Sequence, residues 1–208
     1  MTTKPRLLIA GIGNIFLGDD AFGSEVARRL QQCSWPEQVR VEDFGIRGFD
    51  LAFALLEAPE LTILIDAVPR GGAPGTLYRI EPDLAALDEL NEAEMTIEPH
   101  GLNPMKVLAM VKSMGGVCKR IVLVGCEPAP LASEDGEMGL SAAVAAAIPE
   151  AIRMVNEVIA EALAGVDKFI WSAPAERSDD GALDHFDDKN QSAVAVPINR
   201  DSAGALQN

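Results

Sequence analysis

Three side chains have the types and the setting to do chemistry together: Asp20, Asp66 and His100. Asp20 lies in Gly11-Ile12-Gly13-Asn14-Ile15-Phe16-Leu17-Gly18-Asp19-Asp20-Ala21-Phe22-Gly23, between the apolar run Leu7–Ala10 and a stretch with Phe22, Val26 and Leu30 at four-residue spacing. That pattern predicts strand, glycine-rich turn and helix, the usual place for a site in a parallel sheet. Asp20 reads either as a first-turn carboxylate that complements the helix dipole or as a ligand. Asp19 beside it is the better helix cap, which leaves Asp20 as the functional candidate. Asp66 ends the apolar run Thr62-Ile63-Leu64-Ile65 and so falls at the carboxyl edge of the sheet. It reads as a turn-initiating aspartate before Ala67-Val68-Pro69, or as a buried carboxylate that a metal would satisfy. His100 stands in a tight loop between Pro99 and Gly101, ahead of a helix opened by Asn103-Pro104. Asp43, at the end of a second strand, is a further candidate at the same edge. Its alternative is a strand-end aspartate before a glycine turn. Arg47 is placed either to bind a substrate carboxylate or to sit in solvent.

Two carboxylates and an imidazole converging at one edge would suit nickel, zinc, iron or manganese, with positions left open for a substrate or water. Nucleotide binding is disfavoured. The sixth position of a Gly-x-Gly-x-x-Gly counted from Gly11 is Phe16, and Asp19-Asp20 replace the lysine and hydroxyl of a phosphate loop. A helix N-terminus attracts anions, and two carboxylates there would repel a pyrophosphate. No His-Glu-x-x-His helix or Gly-x-Ser-x-Gly elbow occurs, and no cysteine has a histidine near it in sequence.

The elements that must position these residues follow from hydropathy patterning. Strands are expected near Arg6–Ile12, Val39–Phe44, Leu61–Asp66, Thr76–Ile80 and Arg120–Cys126. Helices are expected near Ala21–Gln32, Phe49–Leu56, Asn103–Met114 and Ser141–Ala164, with Ser141 capping the last and Pro149 kinking or splitting it. The alternation implies a three-layer α/β fold: a mostly parallel twisted sheet of about five strands with helices on both faces. Gly71–Gly75 marks a turn before a strand free to run antiparallel. Residues 1–167 read as one α/β domain and 168–208 as a disordered acidic tail without helical or strand period.

A net charge of −15, from 32 acidic and 17 basic residues, argues against nucleic-acid binding. No apolar run is long enough for a membrane span. The first residues run straight into a strand with no signal peptide, and three scattered cysteines make no disulfide set, so a cytoplasmic location is expected.

The motif Gly-Ile-Gly-Asn-x-x-x-Gly-Asp-Asp-x-x-Gly resembles the opening of the hydrogenase maturation proteases. Leu64-Ile65-Asp66-Ala67, Pro99-His100-Gly101-Leu102, Val124-Gly125-Cys126-Glu127-Pro128 and Gly139-Leu140-Ser141 extend the resemblance in order from about Arg6 to Ala164. The resemblance implies an endopeptidase that removes a C-terminal extension from the large-subunit precursor of nickel–iron hydrogenase after nickel insertion. It places Asp20, Asp66 and His100 at the family's metal-contacting positions, with nickel supplied by the precursor as a checkpoint. The alternative is a non-catalytic nickel-binding assembly factor or metallochaperone. A carrier usually wants more His and Cys ligands than two histidines and three scattered cysteines provide.

Overall fold

The computed structural model describes residues 6–85, 103–130 and 138–163. His100 and the segment 168–208 lie outside the described residues. The order of elements is β1 (Leu7–Ile12), a single 3-10 turn (Gly18–Ala21), α1 (Phe22–Gln31), β2 (Val39–Gly45), α2 (Gly48–Leu56), β3 (Leu61–Ala67), β4 (Leu77–Ile80), α3 (Pro104–Ser113), β5 (Arg120–Cys126) and α4 (Ala142–Leu163). These match the expected elements to within a residue or two.

The strands form one sheet in the order β2-β1-β3-β5-β4, with β4 antiparallel to β5 and the other neighbours parallel. Alternation along the strands divides the core into two layers. Leu7 and Ile9 of β1, with Ile63 and Ile65 of β3, pack under α1 and α4. Leu8, Ala10 and Ile12 of β1, with Leu64 of β3, pack under α2 and α3. β1 is buried along its whole length, which is why it reads as a continuous apolar run and not as an alternating one. On α1 the four-residue spacing delivers Phe22, Val26 and Leu30 into the first layer, each at most 1 % exposed. Each such side chain contributes roughly 1.5–3 kcal/mol by leaving water.

Helix ends follow the expected chemistry at α3, where the Asn103 Oδ1 accepts from the Met105 amide at 2.9 Å and Pro104 occupies the first turn. The expected split at Pro149 does not occur, and α4 continues through it for 22 residues. Pro149 lies on the exposed face of the helix. Its missing N–H leaves the carbonyl of Ala145 without that partner, on a part of the helix that water can reach. Burial of Val144, Ile148, Ala151 and Val155 on the opposite face holds the helix together across this gap.

Candidate functional site

The chain leaves β1 through α1 to β2 on one side and returns through α2 to β3 on the other, so the direction of travel reverses at β1. An open α/β sheet has its crevice at such a point, beyond the carboxyl ends of the two strands. Asp20 follows β1, and Asp66 lies near the end of β3.

Two glycines make this junction possible. Gly13 turns the chain off β1 at φ +137°, and a Cβ there would come within 1.8 Å of the Asp20 carbonyl oxygen. Gly23, in the first turn of α1, rests against backbone: a Cβ would lie 2.0 Å from the Ile65 carbonyl oxygen and 2.2 Å from that of Ile12. The N-terminal end of α1 is thereby seated on the ends of β1 and β3 together. Between the glycines the loop curls on itself. Asn14 Oδ1 accepts from the Phe16 amide at 3.0 Å, and the Asn14 amide donates to Asp20 Oδ2 at 2.7 Å. The Asp20 carboxylate is thus fixed by its own loop.

Asp66 is only 8 % exposed. Burial pushes its carboxyl well above the usual carboxylate range, the negative charge of Asp20 adds to the rise, and the Ala67 amide opposes it. The structure therefore brings Asp20 and Asp66 into electrostatic contact in a poorly solvated crevice, where a cation would relieve both desolvation and repulsion. Two oxygen donors completed by an imidazole would fit a borderline transition metal. Among the described residues no group of three or more His, Cys, Asp or Glu side chains is assembled, and His100 is not among those residues.

Asp19 is not the helix cap that the sequence suggests. The N-cap of α1 is Ala21, without a side-chain cap bond. Asp19 is buried and turned toward the β5–α4 connection, accepting from the Ser141 amide at 2.6 Å, the Ser141 hydroxyl at 2.9 Å and the Ala129 amide at 2.8 Å. Its partners lie more than a hundred positions away in sequence, which is why local capping rules mislead here. Ser141 does cap α4, its Oγ accepting from the Val144 amide at 3.4 Å.

Asp43 and Arg47 stand at the same edge, Asp43 near the end of β2 and Arg47 just beyond it. Asp43 accepts from the Ser24 hydroxyl at 2.7 Å, the Gly45 amide at 3.0 Å and Arg28 Nε at 3.3 Å. Arg47 donates to the carbonyls of Asp43 and Phe44 and to Asp50 Oδ2 at 3.0 Å. Both are engaged in holding the β2–α2 turn.

Glu127 is the residue that sequence reasoning missed. It is 4 % exposed and accepts from the amides of Arg70 at 2.8 Å and Gly71 at 3.0 Å and from the Tyr78 hydroxyl at 2.6 Å. Burial alone would raise its pKa, but the Tyr78 hydroxyl and the loop amides outweigh burial and hold it below the ordinary value. The available signal was the one that marked Asp66: a carboxylate directly after an apolar strand.

A family model described as hydrogenase maturation protease matches residues 24–158. The hydrogenase 2 maturation protease of Escherichia coli strain K12 is 30 % identical over 157 residues, which is 75 % of this chain and 92 % of that protein. The hydrogenase expression/formation protein HupD of Rhodobacter capsulatus is 33 % identical over 155 residues, covering 72 % and 71 %. Among solved structures, the E. coli hydrogenase maturating endopeptidase HybD superposes with a TM-score of 0.60 at 29 % identity, over 76 % of this chain and 93 % of that one. A [NiFe] hydrogenase maturation protease HycI from Thermococcus kodakarensis gives 0.51 at 31 % identity, over 78 % and 95 %.

Proposed function

From the premise that the chain belongs to the hydrogenase maturation protease family, a family of peptide-bond hydrolases, we propose that it removes the C-terminal extension of a nickel–iron hydrogenase large-subunit precursor after nickel insertion. The observation that carries this reading is the convergence of Asp20 and Asp66 at the reversal point of the sheet, one carboxylate fixed by its own loop and the other buried. Nickel belongs to the substrate and arrives with it. Asp20, Asp66 and His100 contact it, so that a precursor without nickel lacks the group this site grips. Cleavage adds water across the scissile amide: the carbonyl carbon gains the oxygen, the C–N bond breaks, and a proton goes to the departing amine. Two routes serve this step, polarisation of the carbonyl by the precursor's metal and activation of the water by a carboxylate.

The test is a gel-shift assay with nickel-loaded and nickel-free precursor. Only the loaded form is expected to shorten. Asp66→Asn and His100→Ala should each lower the rate at least about 100-fold, a range typical for losing a positioned acid–base or electrostatic group. Circular dichroism should show both variants folded. Equal processing of nickel-free precursor would remove the checkpoint, and wild-type rates in Asp66→Asn would remove that residue from the site. Tight nickel binding by the isolated protein without cleavage would favour a carrier instead.

A further inference from the structure

The loop from Val68 to Gly75 leaves β3 just beyond Asp66, crosses the end of β5 and enters β4. It is held at both ends, by the Val68 amide on the Cys126 carbonyl and the Gly75 amide on the Glu127 carbonyl, each at 2.8 Å. Its centre is held by Glu127, through the amides of Arg70 and Gly71. Gly72 lies so close to Tyr78 that a Cβ would come within 2.3 Å of the phenolic oxygen. The Tyr78 hydroxyl donates to the same carboxylate, and the Arg70 guanidinium carbon sits 5.6 Å from the Tyr78 ring centroid. The backbone of Arg70 is therefore pinned and its head is stacked on a ring that is itself anchored, while the residue as a whole is exposed.

Its charge is unusual for this molecule. The chain carries a net charge of −15. Among the described residues every arginine after Arg6 other than Arg70 is ion-paired with a carboxylate, as Arg28 is with Asp43, Arg47 with Asp50 and Arg120 with Glu81. Arg70 has a ring for a partner instead. Stacking leaves the in-plane N–H donors of a guanidinium open to an anion, and a pre-ordered fork loses less entropy on engaging a carboxylate. Arg70 is four positions along the chain from Asp66, a reach of at most about 14 Å.

Resting on the reading above, we propose that Arg70 is a substrate-binding residue that takes a carboxylate of the precursor's C-terminal extension and so sets which part of the extension lies over Asp20 and Asp66. The crevice itself repels an acidic chain, and a cation within reach of it that is not paired to a carboxylate gives the incoming peptide a direction. Tyr78 and Glu127 act as positioning residues behind it.

The experiment measures binding of a labelled synthetic peptide with the sequence of the precursor's C-terminal extension by anisotropy, and in parallel KM and kcat for precursor cleavage. Wild type is compared with Arg70→Met, which keeps the stem over Tyr78 and drops the charge, and with Arg70→Lys. Arg70→Met should weaken peptide binding and raise KM about 3–10-fold with little change in kcat, the size expected of one charge-assisted contact at a partly exposed site. The salt dependence of binding should flatten, and Arg70→Lys should recover part of both effects. Amidating the peptide's C-terminus, or replacing its acidic side chains by amides, shows which carboxylate is used, because only the correct change makes wild type behave like Arg70→Met. Unchanged binding, KM and salt dependence in Arg70→Met would overturn the proposal. Charge-dependent peptide binding without cleavage would uphold Arg70 and overturn the processing reading; cleavage indifferent to Arg70 would do the reverse.

Discussion

At the scale of single residues, the two buried groups beside β5 behave oppositely and can be tested separately. Glu127 is held below its ordinary pKa of 4.5, so it contributes stability that is fully present above that value and is lost as pH falls through its folded pKa. Glu127→Gln should therefore destabilise the protein by about 1–3 kcal/mol at neutral pH, because an amide cannot accept from all three donors. In urea titrations at successive pH values the gap between variant and wild type should close on the acid side only. Cys126 is fully buried, and burial with the nearby charges of Asp19 and Glu127 pushes its thiol up to about 12. A disulfide reagent should label Cys33 and Cys118, which are partly exposed, and reach Cys126 only after denaturation. Asp66 was singled out in the sequence because it ends an apolar run, and Asp20 because it stands in the glycine-rich turn between a strand and a helix; both are local signals. Glu127 carries the same strand-end signal as Asp66, but what it does there, like the roles of Asp19 and Arg70, was not legible. Their roles depend on partners brought from other strands, and no spacing rule within one segment reports a hydrogen bond made across 110 positions.

At the scale of elements, hydropathy period located the described strands and helices, most of which bury a continuous face, although β4 has no fully buried residue. What it could not weigh was the balance inside α4, where local proline chemistry and tertiary burial disagree. Replacing Pro149 by alanine should restore a backbone bond without disturbing the buried face, raising stability by up to about 3 kcal/mol in thermal melts. The junction of α1 with the sheet has the opposite sensitivity. Gly23→Ala places a methyl group against two backbone carbonyls that cannot swing aside, and should cost roughly 3 kcal/mol or prevent folding. Urea unfolding would read the loss, and a variant as stable as wild type would mean that the helix can shift.

For the molecule as a whole, the parallel order and the antiparallel edge strand were foreseeable from alternating runs and the turn Gly71–Gly75, whereas the reversal at β1 is a fact of topology. Among the described residues no helix is long and apolar enough to cross a membrane. Among the described residues the last to enter the core layers is Leu163, and the family match ends at residue 158. A chain shortened to residues 1–167 should melt at the same temperature as the full chain and process precursor at the same rate. A drop of several degrees would make 168–208 part of the fold.

The bearing of α1 on Ile12 and Ile65 at Gly23 has a further consequence. With bare backbone against backbone, this joint has no slack in it, and the loop it carries cannot lean toward an arriving protein. Asp20 is then a fixed stop, like the anvil of a gauge. On the function proposed above, a partner whose group falls short is not met halfway, and discrimination comes from a refusal to adjust instead of from closing around the correct fit.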